Sequence, residues 1–165
     1  MDASEAEARQ AEALACANAG EWDCAFAGLS ELMREPDYAR VVSPQVQEVL
    51  LLNFAASGMF MAEGMEAADV KVITAAGLNS IAIGYENAPA ERTALAESMF
   101  YLLRAESCDG AGDAEGALDA MQELAAMKAS EGWKYFPLNY LKRSDGTAMR
   151  DVLARLETTY GDQMQ

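Results

Sequence analysis

Apolar residues in this 165-residue chain recur at intervals of three and four, and each run is bounded by glycine, proline or a capping polar side chain. A stripe of that period closes only on an α-helix, so the spacing predicts an all-α fold of roughly six to eight helices with no sheet. Ser4 followed by Glu7 reads as a capping box that opens an alanine-rich helix to Asn18. After Gly20, the residues Trp22, Ala25, Phe26, Leu29, Leu32 and Met33 form one stripe, which Pro36 ends. Ser43-Pro44 opens a helix through Val46, Leu50 and Phe54, and Leu51 and Leu52 make it apolar almost all round, the pattern of a helix with several neighbours. Val70, Ile73, Gly77, Ile81 and Tyr85 keep the helical period, with a strand near Val70 as the alternative. Pro89 opens a helix carrying Leu95, Met99 and Leu103, Asp113 caps one carrying Ala117, Met121 and Leu124, and Met149 to Tyr160 form the last.

The breaks divide one domain, residues 1–165, into helical hairpins at about 4–35, 44–85 and 89–131, followed by an aromatic loop and a capping helix over 132–160. The first and third hairpins share a pattern at a single offset. It pairs Cys16 with Cys108, Gly20 with Gly112, Ala25 with Ala117, Glu31 with Glu123 and Leu32 with Leu124. A glycine turn followed by a small residue at the crossing and a large apolar one further on keeps two helices close. This pattern resembles the second half of a tetratricopeptide repeat, with Leu29 and Met121 at its large apolar position. The first helices depart from the repeat, having Arg9 and Cys16, then Tyr101 and Cys108, where it carries tryptophan and tyrosine; in the middle pair, Phe60 stands at the tyrosine position and Gly64 at the turn. The resemblance implies stacked antiparallel hairpins, an α-solenoid that holds peptides with side chains of its first helices. On this chain, Asn53, Phe60, Met61, Tyr101 and Arg104 take that place.

Twelve Lys and Arg against twenty-seven Asp and Glu, with no histidine, give a net charge of −15. That balance argues against a reader of nucleic acid, whose phosphates require positive charge, and against an anionic membrane surface. Residues 1–127 hold six basic and twenty-two acidic side chains, so the acidity belongs to the body of the domain and suits a partner of basic character. No apolar run is long enough to cross a membrane, the stretch around Val49 to Met61 being broken by Asn53, Ser57 and Gly58. The start, Met1-Asp2-Ala3-Ser4-Glu5, lacks the pattern of a signal peptide, so a cytoplasmic location is expected, with a periplasmic one as the alternative if a leader has been removed.

Little in the chain points to chemistry. Without histidine and with three cysteines there is no Cys/His zinc constellation, and no metal or other cofactor is expected. Asp109-Gly-Ala-Gly-Asp113-Ala-Glu115 has the alternating carboxylates of a calcium loop, but Ala111 stands at a ligand position, and a helix turn capped by Asp113 accounts for the same residues. Cys16 and Cys24 flank Gly20 symmetrically, so a hairpin there brings them together either as small core thiols or as a disulfide, whereas Cys108 has no evident mate. Met59, Met61 and Met65 around Phe60 suit an adaptable groove or an ordinary core. Trp133, Tyr135, Phe136 and Tyr140 interleave with Lys134, Lys142 and Arg143, a mixture that fits the closing end of a helical stack or a protein contact.

With no phosphate-binding loop, no nucleophile motif and no catalytic residue in sight, the chain reads as a non-enzymatic scaffold, an adaptor or chaperone-like module that binds a protein or peptide. The competing expectation is an acidic inhibitor or immunity-type protein that blocks a basic enzyme or nucleic-acid-binding protein through charge.

Overall fold

The computed structural model describes residues 1–131 and 141–164, and among them the fold is all-α. The helices are α1 (Ala3–Asn18), α2 (Trp22–Met33), the short α3 (Tyr38–Val41), α4 (Pro44–Ala62), α5 (Ala67–Gly84), α6 (Ala90–Gly110), α7 (Ala114–Glu131) and α8 (Met149–Tyr160). The stretch from Val70 to Ile83 is helix throughout, as its period requires, and no strand occurs among the described residues. The aromatic residues Trp133, Tyr135, Phe136 and Tyr140 lie outside the described residues.

Side-chain caps begin three of the helices, α1, α4 and α7. Ser43 accepts from the Val46 amide and Pro44 occupies the first turn, while Asp113 accepts from the Gly116 amide at 2.9 Å. At the start of α1 the capping residue is Asp2, which accepts from the Glu5 amide at 2.8 Å, and Ser4 lies exposed inside the helix. A carboxylate at that position satisfies an open N–H and complements the positive end of the helix dipole, which is why it displaces the hydroxyl.

Consecutive helices α1 and α2 pack as one hairpin, α6 and α7 as another. Between them, α2 lies against α4 and α5, α4 and α5 both lie against α6, and α8 packs on α6 and α7. The α4–α5 pair is joined through Gly64 at φ +79°, yet α5 makes its main contact with α6 rather than with α4. The core is aromatic at its centre: Phe26 of α2 stacks on Phe54 of α4 at 4.7 Å, and Phe100 of α6 meets Phe54 edge-on at 5.4 Å.

The two outer hairpins repeat each other atom for atom at their turns. In the first, Gly20 has φ +75°, its N–H donates to Ala17, and the Glu21 N–H donates back to the Cys16 carbonyl at 2.9 Å. In the second, Gly112 has φ +79°, its N–H donates to Asp109, and the Asp113 N–H donates to the Cys108 carbonyl at 2.9 Å. Glycine takes these positions because a left-handed residue ends the helix and returns the chain. Ala25 and Ala117, Leu29 and Met121, Leu32 and Leu124 are all buried at matching places.

The repetition extends to sulfur. Cys16 and Cys24 form a disulfide with their Cα atoms 5.8 Å apart. Cys108 is free and buried, and the position matching Cys24 holds Gly116, where an added Cβ would stand 3.0 Å from the Cys108 sulfur. Two bonds, Cβ–S and S–S, span about 3 Å in a disulfide, so the second hairpin has the geometry of the bridge without its second half. A Gly116→Cys variant is therefore expected to close a bond between Cys108 and the introduced cysteine under mild oxidation. The wild-type protein should titrate with one free thiol after denaturation, and the variant with none; two free thiols in the variant would show that the Asp113 carboxylate, which crowds the new Cβ, blocks closure.

A buried polar chain holds the link between α2 and α4. Tyr38 of α3 donates to the Tyr85 hydroxyl at 2.7 Å, Tyr85 donates to the Gln47 carbonyl at 2.8 Å, and the Gln47 amide donates to the Val42 carbonyl at 2.8 Å. Burial raises both phenols, Tyr85 to about 12 and Tyr38 beyond it, because the charged form has no water there. The unfolded chain loses these protons near pH 10 while the folded one keeps them. The stability they contribute is thus complete below pH 10 and lost above it. Between about pH 9.5 and 11 the unfolding free energy is expected to fall by about 2 kcal/mol. Urea denaturation across that range checks this, and Tyr38→Phe should flatten the slope.

Candidate functional site

The residues expected to bind a partner fall on separate parts of the surface. Asn53 and Phe60 share a trough between α4 and α6. Tyr101 and Arg104 line a different cavity, and Met61 is half-buried against the core and lines neither. The reason is helical rotation: six residues at about 100° each place Tyr101 on another side of α6 from Leu95. None of the five is fully enclosed.

The trough has a volume of about 670 Å³ and is open to solvent along the surface. One wall is α4, which presents Leu52, Ala56 and Phe60 at successive four-residue steps with Leu51 and Met59 beneath them. The other wall is Leu95 and Ala96 of α6, and Leu141 and Lys142 close one end. Phe60 is held from behind by Trp22, the first residue of α2, whose ring stacks on it at 4.5 Å. Leu52 is 45 % exposed, a large apolar side chain left in water on the rim.

The polar groups of the trough are few. Asn53 donates its side-chain amide to the Val49 carbonyl one turn back at 2.9 Å, which leaves its carbonyl oxygen as an acceptor. Glu48 and Arg92 stand together at the end next to Tyr85, whose ionisation both influence. Lys142 stands at the other end, next to Arg143 and Ser144. Neither Arg92 nor Lys142 forms an ion pair among the described residues. Sequence reasoning reached Asn53 and Phe60 but passed over Leu52, Arg92 and Leu95, although Arg92 sits one turn before Leu95 on the same stripe.

The cavity around Tyr101 and Arg104 is different in kind. It measures about 580 Å³ and is bounded by Asp113, Glu115, Asp119 and Glu123 at the start and outer face of α7, with Lys71 of α5 opposite. Burial, and after it the charge of Glu123, raises the Tyr101 phenol. Burial also raises the Cys108 thiol, and the Asp113 carboxylate adds to it, so its thiolate form is disfavoured.

A third cavity, of about 600 Å³, lies where the segment before α8 meets the α4–α5 turn. Its residues are engaged in holding the C-terminal helix. Arg143 grips Glu106 of α6 with both terminal nitrogens, and Ser144 donates its amide and its hydroxyl to Glu63 at 2.9 and 2.7 Å. From α8, Tyr160 donates to Asp109 at 2.6 Å, and this hydrogen bond, with Arg155 beside it, keeps the Asp109 carboxyl below its ordinary range. Asp109 and Asp113, the carboxylates that suggested a calcium loop, thus act as an anchor for α8 and a helix cap. No helix among the described residues is long and apolar enough to cross a membrane.

Comparison with known protein families, with characterised proteins and with solved structures gives no match to this chain.

Proposed function

We propose that this chain is a non-enzymatic binding module, adaptor or chaperone-like, that takes an apolar segment of a partner protein into the trough between α4 and α6. The observation that carries this reading is the trough itself, an open cavity of about 670 Å³ walled by aliphatic and aromatic side chains of two helices. Grooves of this kind bind amphipathic or extended peptides through a few buried anchors. The tetratricopeptide resemblance supports it as well, since α4 and α6 are the first helices of the second and third pairs. The Asn53 side-chain carbonyl oxygen offers an acceptor for a peptide N–H, and Arg92 and Lys142 offer charge to its acidic groups.

The test begins with selection of binding peptides from a displayed library. Leu52→Asp should weaken the selected peptide by about 2 kcal/mol or more, because it buries a charge against an apolar anchor. As Leu52 is exposed in the free protein, its thermal stability should stay within about 0.5 kcal/mol. Tyr101→Ala should leave that affinity unchanged.

A second reading rests on the four carboxylates around the Tyr101 cavity and the net charge of −15. There the chain blocks a basic partner through charge. Binding by that face falls steeply as salt rises and ignores Leu52→Asp, because screening weakens exposed charge and leaves apolar contact almost untouched.

A further inference from the structure

We propose that the first hairpin turn, once its disulfide is reduced, is a binding site for a divalent d10 cation such as Zn²⁺, with Cys16, Cys24 and Glu21 as ligands. The three residues converge at the turn: both sulfurs and a carboxylate oxygen of Glu21 lie within 4.8 Å of one another. A tetrahedral zinc site holds its ligands about 2.0 to 2.3 Å from the metal, so a cluster of this span needs only small side-chain rotations to surround an ion. The backbone is already fixed for it, since the Glu21 N–H is bonded to the Cys16 carbonyl at 2.9 Å. The set is two thiolates and one carboxylate, which leaves the fourth position to water.

The second hairpin supplies an internal comparison. Asp113 stands where Glu21 does, but its carboxylate caps α7 by accepting from the Gly116 amide at 2.9 Å. Glu21 heads α2 without capping it, and its side chain forms no ion pair or hydrogen bond among the described residues. One acidic residue is thus spent on its helix and the other is free beside two sulfurs. The turn that lacks the second cysteine is also the one whose carboxylate is occupied.

The chemistry requires a reductant. With a phosphine, two electrons pass to the disulfide, the S–S bond breaks, and water supplies a proton to each sulfur and an oxygen to the phosphine, which leaves as its oxide. The cation then binds both sulfurs as thiolates and two protons go to solvent. In the oxidised protein neither sulfur can act as a thiolate ligand, so metal binding and the disulfide exclude each other.

The full chain is reduced with a phosphine, freed of it without air, and titrated with Zn²⁺ against a chromophoric chelator, with helicity followed by circular dichroism. One ion per chain is expected, with release of about two protons. Glu21→Gln, which keeps both cysteines and the disulfide-forming fold, should weaken binding at least tenfold. Cys24→Ser should weaken it at least a hundredfold, and the oxidised protein should not compete with the chelator. Equal affinity of wild type and Glu21→Gln overturns the site, as does equal affinity of wild type and Cys24→Ser. If helicity is lost on reduction, a Cd²⁺ titration of the same sample reads whether the ion restores it: recovery in wild type but not in Glu21→Gln supports the site, and no recovery overturns it.

Discussion

Replacing Phe100 by alanine should destabilise the protein by about 3 to 5 kcal/mol, a loss at the upper end of what single core truncations cost. The ring is fully buried and forms edge contacts with Phe26 at 6.1 Å and Phe54 at 5.4 Å. Its other sides face bare backbone. A Cβ at Gly58 or at Gly77 would stand 2.6 Å from the Phe100 ring, so α4 and α5 approach it as closely as glycine allows. When the ring is removed, no side chain at either glycine can move in, and the cavity stays open. The same geometry predicts that Gly77→Ala overpacks the site, at a cost of about 1 to 3 kcal/mol. Combining Gly77→Ala with Phe100→Leu should cost less than the sum of the two, because each relieves the other. Urea midpoints for these variants and the wild type give the measurement; a Phe100→Ala loss below about 1.5 kcal/mol would mean that the helices close up around the gap.

The second large effect concerns the first hairpin. The Cys16–Cys24 disulfide links residues 8 positions apart, and a loop of that length restricts the unfolded chain by about 2 to 3 kcal/mol on the chain-entropy account. Cys24→Ser should therefore lower stability by about that amount, as should reduction of the wild-type protein. The difference between the two treatments is informative. Reduction leaves Cys24 in place, so any excess loss in Cys24→Ser belongs to the serine hydroxyl and not to the bond. Cys108→Ala, by contrast, touches no bridge and should change stability through packing alone.

The sequence carried the helices because their boundaries are local: Ser43-Pro44, Asp113 and the glycines Gly20, Gly64 and Gly112 act on their own turns. Even the kinship of the outer hairpins was legible at Cys16 and Cys108, Ala25 and Ala117. What it could not carry was contact between distant segments. Gly58 reads as an interruption of an apolar run, and only the approach of Phe100, from another helix, makes it a packing residue. The short α3 has four residues, too few to show a period, and the hydrogen bond that ties its Tyr38 to Tyr85 joins distant segments. The binding residues divided for a similar reason. Phe60 and Asn53 share a face of α4, but membership of a first helix says nothing about which side of α6 Tyr101 will occupy.

The position of α6 sets how the molecule opens. It touches α4, α5, α7 and α8, and its Phe100 reaches the aromatic pair of α2 and α4. The outer hairpins are assembled from neighbours in the chain and can close early, on the timescale of local helical contacts, whereas the central layer waits for residues far apart in sequence. In the native state the amides of α6 are expected to be among the slowest to exchange with solvent, and those of α8, which packs on α6 and α7 through Met149, Val152, Leu156 and Tyr160, to exchange before them.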